Sequence, residues 1–523
     1  MNLTRFPLAR WCAGLGLTLG LIGAGVAQAA ETTRVIVSFK PGVQAAQAAR
    51  AAIAGAGGTV KLELIGGEGV AVELPNAAIA ALKKHPAVAL VEEDARRYPM
   101  SLTEPSGPPY RKGQLLPYGI PMVQADKLPN LDDNAGNRTI CIIDSGYDNT
   151  HIDLPHNRVT GDDDLGGAGP WDHDGLGHGT HVAGTIAAVN QRDVGVIGVL
   201  PSKKIHLHIV RVFNDAGDWA YSSTLANAAK KCQAAGANVI SMSLGGSLPN
   251  ATERKTFDNL RDAGILSVAA AGNGGNTLTS YPAGYGSVVS VAALDENKAW
   301  ATFSQRNSDV ELAAPGVLVL STVPMGTGSL ATLSVGGTAY SPIGMDGSPN
   351  ATVSAPLADF GLGEVIDPNM AGKVCLTQRG NITFALKVQN CEASGGVGSV
   401  IYNNVPGSFA GTLGGVSTGI PSVSASDTEG TSMLAQLGQA ADLSVEASHY
   451  AFFDGTSMAT PHVSAVAALV WSYFPTCTSE QLRASLDKSA QDLGAAGRDV
   501  KFGYGLVRAK AAYDRILAKG CGN

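Results

Sequence analysis

The feature that most limits the fold is an apolar run that follows Asp454-Gly-Thr-Ser-Met-Ala-Thr-Pro-His462. Residues 463–471 are Val, Ala, Leu, Ser and Trp without a charge, so a helix here is apolar almost all round and must be buried. Pro461 suits the first turn of such a helix, where its missing N–H has no helical partner. Gly455 gives a flexible corner before Thr456 and Ser457. A hydroxyl then stands at the positive end of a buried helix, which favours developing negative charge nearby. For an isolated Gly-x-Ser the plainer reading is a serine that caps a core helix. A serine nucleophile needs a base and a carboxylate to orient it, and the rest of the chain must supply both.

Asp144 follows the strand-like Thr139-Ile-Cys-Ile-Ile143, which puts it at the carboxyl end of a buried strand. His178 stands in Gly177-His-Gly-Thr-His-Val-Ala-Gly184, with glycines on both sides and an apolar helix beginning. The chain order Asp, His, Ser is that of subtilisin. Ile143-Asp-Ser-Gly146, His178-Gly-Thr-His-Val-Ala-Gly184 and Gly455-Thr-Ser-Met-Ala-Thr-Pro-His462 resemble the three signature blocks of the subtilisin-like serine proteases. The resemblance continues at Ser243-Leu-Gly-Gly246, Ala271-Gly-Asn273, Tyr281-Pro282 and Ala314-Pro-Gly316. It covers roughly residues 116–323 and 450–513.

The chain of 523 residues has room for two or three domains, and a net charge of −7 with no long basic run argues against nucleic acid. Arg5 and Arg10 precede an apolar stretch over 15–26 that ends in Ala27-Gln-Ala29. Residues 1–29 therefore read as a signal peptide, too short to span a membrane, and no later segment is long enough to do so. A secreted product is expected. Cys12 leaves with that leader, and six cysteines remain for an oxidising destination. Proximity along the chain favours Cys375–Cys391, then Cys477–Cys521, leaving Cys141–Cys232, although six cysteines can pair in many ways.

Residues 30–100 read as a small β-α-β-β-α-β unit, the ferredoxin-like split βαβ pattern. The unit resembles the inhibitory propeptide of subtilisins, down to Val91-Glu-Glu-Asp94. Residues 101–116 form a linker in which maturation is expected, with the first cut after Met100. Over 117–335 short apolar strands alternate with helical stretches, which predicts a parallel sheet with helices on both faces. Helices are expected over 180–188, 222–235 and 252–263. Strands are expected over 205–212, 239–243, 266–270 and 288–292. Residues 336–447 interrupt the pattern and resemble an inserted, β-rich protease-associated (PA) domain. The residues that carry this are Gly372-Lys-Val-Cys-Leu376, Gln378-Arg-Gly380, Val400-Ile-Tyr-Asn403 and Ile420-Pro-Ser-Val423. The peptidase domain resumes over 448–523. The fold expected is thus α/β and subtilisin-like, with a ferredoxin-like propeptide and a PA insertion.

In this frame Ser457 is the nucleophile, His178 the general base and Asp144 the group that fixes the imidazole. Asn273, at another strand end, matches the family's oxyanion donor, acting with the Ser457 N–H. Asp148 and Asp153 compete with Asp144 but lack its place at a strand end. Gly430-Thr-Ser-Met433 repeats the serine block without its Pro and His, so Ser432 reads as a helix cap. His181 and His462 read as core histidines, since no His-Glu-x-x-His arrangement supports a metal. The resemblance implies a substrate-pairing edge at Ser243, Leu244 and Gly245, a pocket base at Ser280 and a further wall at Tyr221. No acid stands at Ser280, so a preference for paired basic sites is not expected. No cofactor is implied for the chemistry. A structural calcium site is implied at Gln114, Asp153, Val189, Val194 and Val196, all hard-oxygen donors. Expected partners are protein or peptide substrates and the chain's own propeptide, with no nucleic acid, no membrane span and a monomeric state. Two rival readings stay open: a narrow processing peptidase, and an inactive relative that only binds peptides.

Overall fold

A computed structural model of the chain describes residues 31–100, 114–128, 137–163, 167–190, 195–202, 204–409, 411–414 and 416–523. The expected signal peptide and most of the expected linker lie outside the described residues.

The centre is a seven-stranded sheet in the order Val310–Pro315, Val288–Leu294, Leu266–Ala270, Val239–Met242, Thr139–Asp144, His206–Arg211, Val159–Asp163. Every neighbouring pair is parallel. Parallel strands covered on both faces read as near-continuous apolar runs, as the inner strands Leu266–Ala270 and Val288–Leu294 do, whereas the edge strand Val159–Asp163 is polar and partly exposed. Successive residues of Thr139–Asp144 point to opposite cores: Ile140 and Ile142 to one, Cys141 and Ile143 to the other. The first core is closed by the helices His178–Ala187, Thr456–Tyr473, Ser479–Ser489 and Ala509–Lys519. The second is closed by Ser222–Ala234 and Ala251–Asp262. This is the α/β architecture expected, with helix and strand ends within a few residues of those read from the pattern.

The Thr456–Tyr473 helix is buried from Thr456 to Ser472, as its lack of charge requires. Its start differs from expectation. Gly455 is the cap, and Pro461 lies inside the helix rather than in its first turn. A proline there removes the N–H that would meet the Ser457 carbonyl. Ser243 Oγ donates to that carbonyl instead, at 2.7 Å.

Just upstream of this helix, Tyr450–Phe453 pairs antiparallel with Val319–Thr322, and this joint carries the insertion. The insertion forms an eight-stranded sheet with its own apolar core. Its two ends are tied by the long antiparallel pair Gly328–Val335 and Ala440–Ser448. The disulfides Cys141–Cys232, Cys375–Cys391 and Cys477–Cys521 are formed.

Residues 32–93 fold as an antiparallel sheet in the order Thr59–Glu63, Gly69–Pro75, Thr32–Phe39, Val88–Glu93. This unit docks through two helix N-termini of the larger domain. The Glu92 carboxylate accepts from the N–H groups of Ala251 (2.7 Å) and Thr252 (2.9 Å). Asp94 accepts from Ser223 N (2.9 Å) and Ser222 Oγ (3.1 Å). Each helix leaves its first N–H groups without helical partners, and both carboxylates answer that need and the helix dipole.

Candidate active site

Three strand or helix ends converge at the C-terminal edge of the sheet. Asp144 closes its strand, His178 opens the helix His178–Ala187, and Ser457 is the second residue of the buried helix. His178 Nδ1 lies 2.6 Å from Asp144 Oδ1, with both side chains fully buried. The same oxygen accepts from Ser145 N at 2.8 Å, which fixes the carboxylate plane. Ser457 Oγ donates to the Ser243 carbonyl at 2.9 Å.

The strand end and the histidine helix approach closely because both residues at the contact are glycines. A Cβ on Gly179 would strike the Gly146 carbonyl, and Gly146 itself has φ +123°. Asp174 clamps the two elements. Its carboxylate accepts from Ser145 Oγ (2.9 Å), Gly177 N (2.8 Å), Thr180 N (2.8 Å) and Thr180 Oγ1 (2.6 Å). Ser145 Oγ in turn accepts from Gly179 N. Sequence reasoning passed over Asp174, although its place four residues before His178 was a usable signal.

Asn273 follows the end of the Leu266–Ala270 strand. Its Oδ1 accepts from Thr456 N (2.9 Å) and Thr456 Oγ1 (2.8 Å), so the amide can only turn its Nδ2 outward. That nitrogen donates to the Met100 carbonyl at 2.8 Å.

Met100 ends a tail that lies along the cleft. Arg96–Pro99 pairs antiparallel with Leu244–Gly245 on one side and Ala220–Tyr221 on the other. Met100 N donates to the Ser243 carbonyl at 3.1 Å. A Cβ on Gly245 would run into both Ser280 Oγ and Met100 Cε, so the methionine tip and Ser280 share the space beneath Gly245. Ser243, Leu244, Gly245, Ser280 and Tyr221 are thus brought around one extended segment. The Tyr221 ring also lies under the Arg34 guanidinium, 3.8 Å from its centroid.

His181 and His462 serve the core. His181 Nε2 lies 2.9 Å from the Val319 carbonyl, and its ring stacks on Phe453. Burial pushes its pKa down to about 3. His462 Nδ1 lies 2.8 Å from the Met458 carbonyl, and burial takes it down to about 4. Ser432 is not a helix cap. It lies inside Asp427–Leu434 with Oγ 3.0 Å from the Tyr340 hydroxyl, and Ser426 caps that helix through a reciprocal bond with Glu429. Among the described residues no cluster of three or more His, Cys, Asp or Glu side chains could hold a metal.

Four of the five positions expected around calcium lie beside one another. The Gln114 side-chain amide donates to the carbonyls of Val189 (2.7 Å) and Val196 (3.2 Å), and Asp153 Oδ2 accepts from Val196 N (2.6 Å). Val194 lies outside the described residues. An amide oxygen, two carbonyls and a carboxylate are the donor types that calcium takes. Burial without a cation raises the Asp153 pKa to about 7.

Comparison with known proteins decides the affiliation. The subtilase family matches residues 136–352 and 414–505, which flank and include all three convergent ends. The chain belongs to the subtilase family. A PA domain matches residues 333–433, within the insertion. Subtilisin DY of Bacillus licheniformis is 40% identical over 219 residues, 41% of this subtilase and 77% of that protein. Subtilisin E of Bacillus subtilis strain 168 is 35% identical over 304 residues, 56% of this chain and 74% of its own. Among solved structures, the psychrophilic subtilisin-like protease Apa1 from the Antarctic psychrotroph Pseudoalteromonas sp. AS-11 is 42% identical with a TM-score of 0.66. That match covers 78% of this subtilase and 100% of Apa1. This subtilase is a serine endopeptidase, and subtilisins need no cofactor for catalysis. No helix among its described residues is long and apolar enough to cross a membrane.

Proposed function

We propose that this subtilase is a secreted, self-processing zymogen whose triad is Ser457, His178 and Asp144. The observation that carries the reading is the bond from Asn273 Nδ2 to the Met100 carbonyl, at the amino end of the Ser457 helix. A carbonyl held there is set for attack. His178 takes the hydroxyl proton as Ser457 Oγ turns from the Ser243 carbonyl to the scissile carbon. The oxyanion that forms receives hydrogen bonds from Asn273 Nδ2 and the Ser457 N–H, neither of which must reorganise. The imidazolium passes its proton to the leaving amine, and an acyl-enzyme remains on Ser457. Water, deprotonated by the same imidazole, releases the product. Asp144 holds the Nδ1 proton and stabilises the imidazolium without becoming protonated.

Residues 30–100 act as the intramolecular inhibitor, with residues 96–100 occupying the cleft as a substrate strand would. The signal-like segment 1–29 and the three disulfides support export to an oxidising compartment. A structural calcium held by Gln114, Asp153, Val189 and Val196 would neutralise the buried carboxylate. The enzyme acts as a monomer on protein and peptide substrates. Labelling with a serine-reactive fluorophosphonate tests the triad. The wild type and Ser432→Ala should label, whereas Ser457→Ala should not and should lose kcat by about 10⁶. Label retained by Ser457→Ala would refute the assignment.

A further inference from the structure

Arg97, three residues before Met100 in the tail, is fully buried, although it belongs to a strand whose neighbour Tyr98 is exposed. Its guanidinium makes a two-pronged bond to one carboxylate: Nε to Glu253 Oε1 at 2.8 Å and Nη2 to Glu253 Oε2 at 2.5 Å. Both side chains have zero exposure. Glu253 belongs to the larger domain, on the helix Ala251–Asp262.

The position of Glu253 in that helix makes the contact unusual. Asn250 is the cap and Glu253 stands three residues on, the spacing at which a glutamate ordinarily folds back to the cap's own N–H. Here the Asn250 N–H donates to the Tyr285 hydroxyl at 2.8 Å instead. The Tyr285 hydroxyl in turn donates to Glu253 Oε2 at 2.7 Å. The carboxylate is therefore freed from capping and aimed into the cleft by a tyrosine that would remain after the tail departs. Burial raises the Glu253 pKa, while Arg97 pulls it the other way. When the tail departs, this carboxylate loses its cation, and an arginine of a substrate in the same register would restore the pair.

We propose that Glu253 is a specificity-determining residue of the mature enzyme, selecting an arginine in the substrate at the place of Arg97. Counting the residue that precedes the scissile bond as the first, this is the fourth position upstream. Planar two-pronged geometry favours arginine over lysine, whose point charge cannot meet both oxygens. The first position has a different character, since Met100 shares its space with the neutral Ser280 hydroxyl. The substrate class is thus a chain with arginine four residues before the cut and an uncharged, unbranched side chain at the cut. The inference rests on the proteolytic reading above and deepens it.

The test uses the active, processed enzyme and chromogenic tetrapeptides Xaa-Tyr-Pro-Met-p-nitroanilide, with Arg, Lys, Gln, Ala or Glu as Xaa. Wild type should prefer Arg to Gln or Ala by roughly 10–100-fold in kcat/KM, with Lys between and Glu worst. In Glu253→Gln the ratio of Arg to Ala should shrink to a few-fold. Equal cleavage of the Arg and Ala peptides by wild type overturns the role of Glu253 while leaving the proteolytic reading standing. The wild-type series alone decides this if Glu253→Gln does not fold. Failure to cleave any member of the series overturns the proteolytic reading and the inference together.

Discussion

Ser243 and Ser457 exchange hydrogen bonds in both directions. Ser243 Oγ donates to the Ser457 carbonyl at 2.7 Å, and Ser457 Oγ donates to the Ser243 carbonyl at 2.9 Å. The first bond replaces a helical one, because Pro461 has no N–H to offer that carbonyl. The second holds the hydroxyl at the strand end that also receives Met100 N. One residue beside the edge that pairs with the tail therefore fixes both the backbone and the side chain of Ser457.

Ser243→Ala should leave the Ser457 carbonyl buried without that donor and cost about 1–2 kcal/mol. Urea unfolding of the Ser457→Ala form, which cannot digest itself, measures the loss. Pro461→Ala restores a helical N–H, so Ser243→Ala should cost less in that background. An undiminished cost would mean that the serine acts elsewhere.

Asn273→Leu keeps the bulk of the side chain and removes the donor to the reacting carbonyl. A fall in kcat of roughly 10²–10³-fold is expected, with KM little changed. Because Asn273 also anchors Thr456, stability should drop slightly as well. A loss confined to KM would show that Asn273 binds ground-state substrate instead.

Ser243 and Pro461 also mark how far the sequence could be read. The strand and helix ends that carry Asp144, His178 and Ser457 were legible because buried parallel strands and an apolar helix leave continuous patterns. Pro461 misled, since a proline suggests a helix start. It is tolerated in the interior only because Ser243, 218 residues earlier in the chain, supplies the missing donor. Ser432 and Ser426 differ by the reciprocal bond to Glu429, which a four-letter match does not show. Glu253 was not singled out from the sequence, where it stands three residues after Asn250 at the spacing of an ordinary cap partner. Its side chain turns to the cleft because Tyr285, brought near by the tertiary fold, takes the cap's N–H. Interactions between distant segments were the part that local patterning could not supply.

The gathering of Gln114, Asp153, Val189 and Val196 predicts a metal effect on stability. Adding EDTA to the Ser457→Ala form should lower its melting temperature, and calcium should restore it. Asp153→Asn should abolish most of that difference. A melting temperature indifferent to calcium would remove the site.

Acid should weaken the fold through His181 and His462. Their folded pKa values are about 3 and about 4, whereas an unfolded histidine titrates near 6.5. Between those limits the unfolded chain binds more protons, so this stability is complete above about pH 6.5 and is lost as pH falls. Each histidine contributes a slope of about 1.4 kcal/mol per pH unit in that window. Asp153 opposes them in the absence of a cation, because a carboxyl raised to about 7 takes up a proton on folding. Burial also raises Asp454 to about 6 and Asp487 to about 8, which opposes the histidines, so the test is a comparison. With calcium present, the Ser457→Ala form should lose more urea stability from pH 7 to pH 5 than the same form carrying His462→Gln. An identical pH dependence with and without His462→Gln would contradict the His462 assignment.

The central claim is that residues 30–100 are an inhibitor removed by the Ser457 machinery, beginning at the bond after Met100. The Met100 carbonyl already accepts from Asn273, and Glu92 and Asp94 hold the unit on the two helices. Amino-terminal sequencing of the secreted wild type and of Ser457→Ala tests this most directly. The active wild type should begin between Ser101 and Gln114, and Ser457→Ala should accumulate uncut from near Ala30. An active wild-type enzyme that still begins at Ala30 would contradict the account.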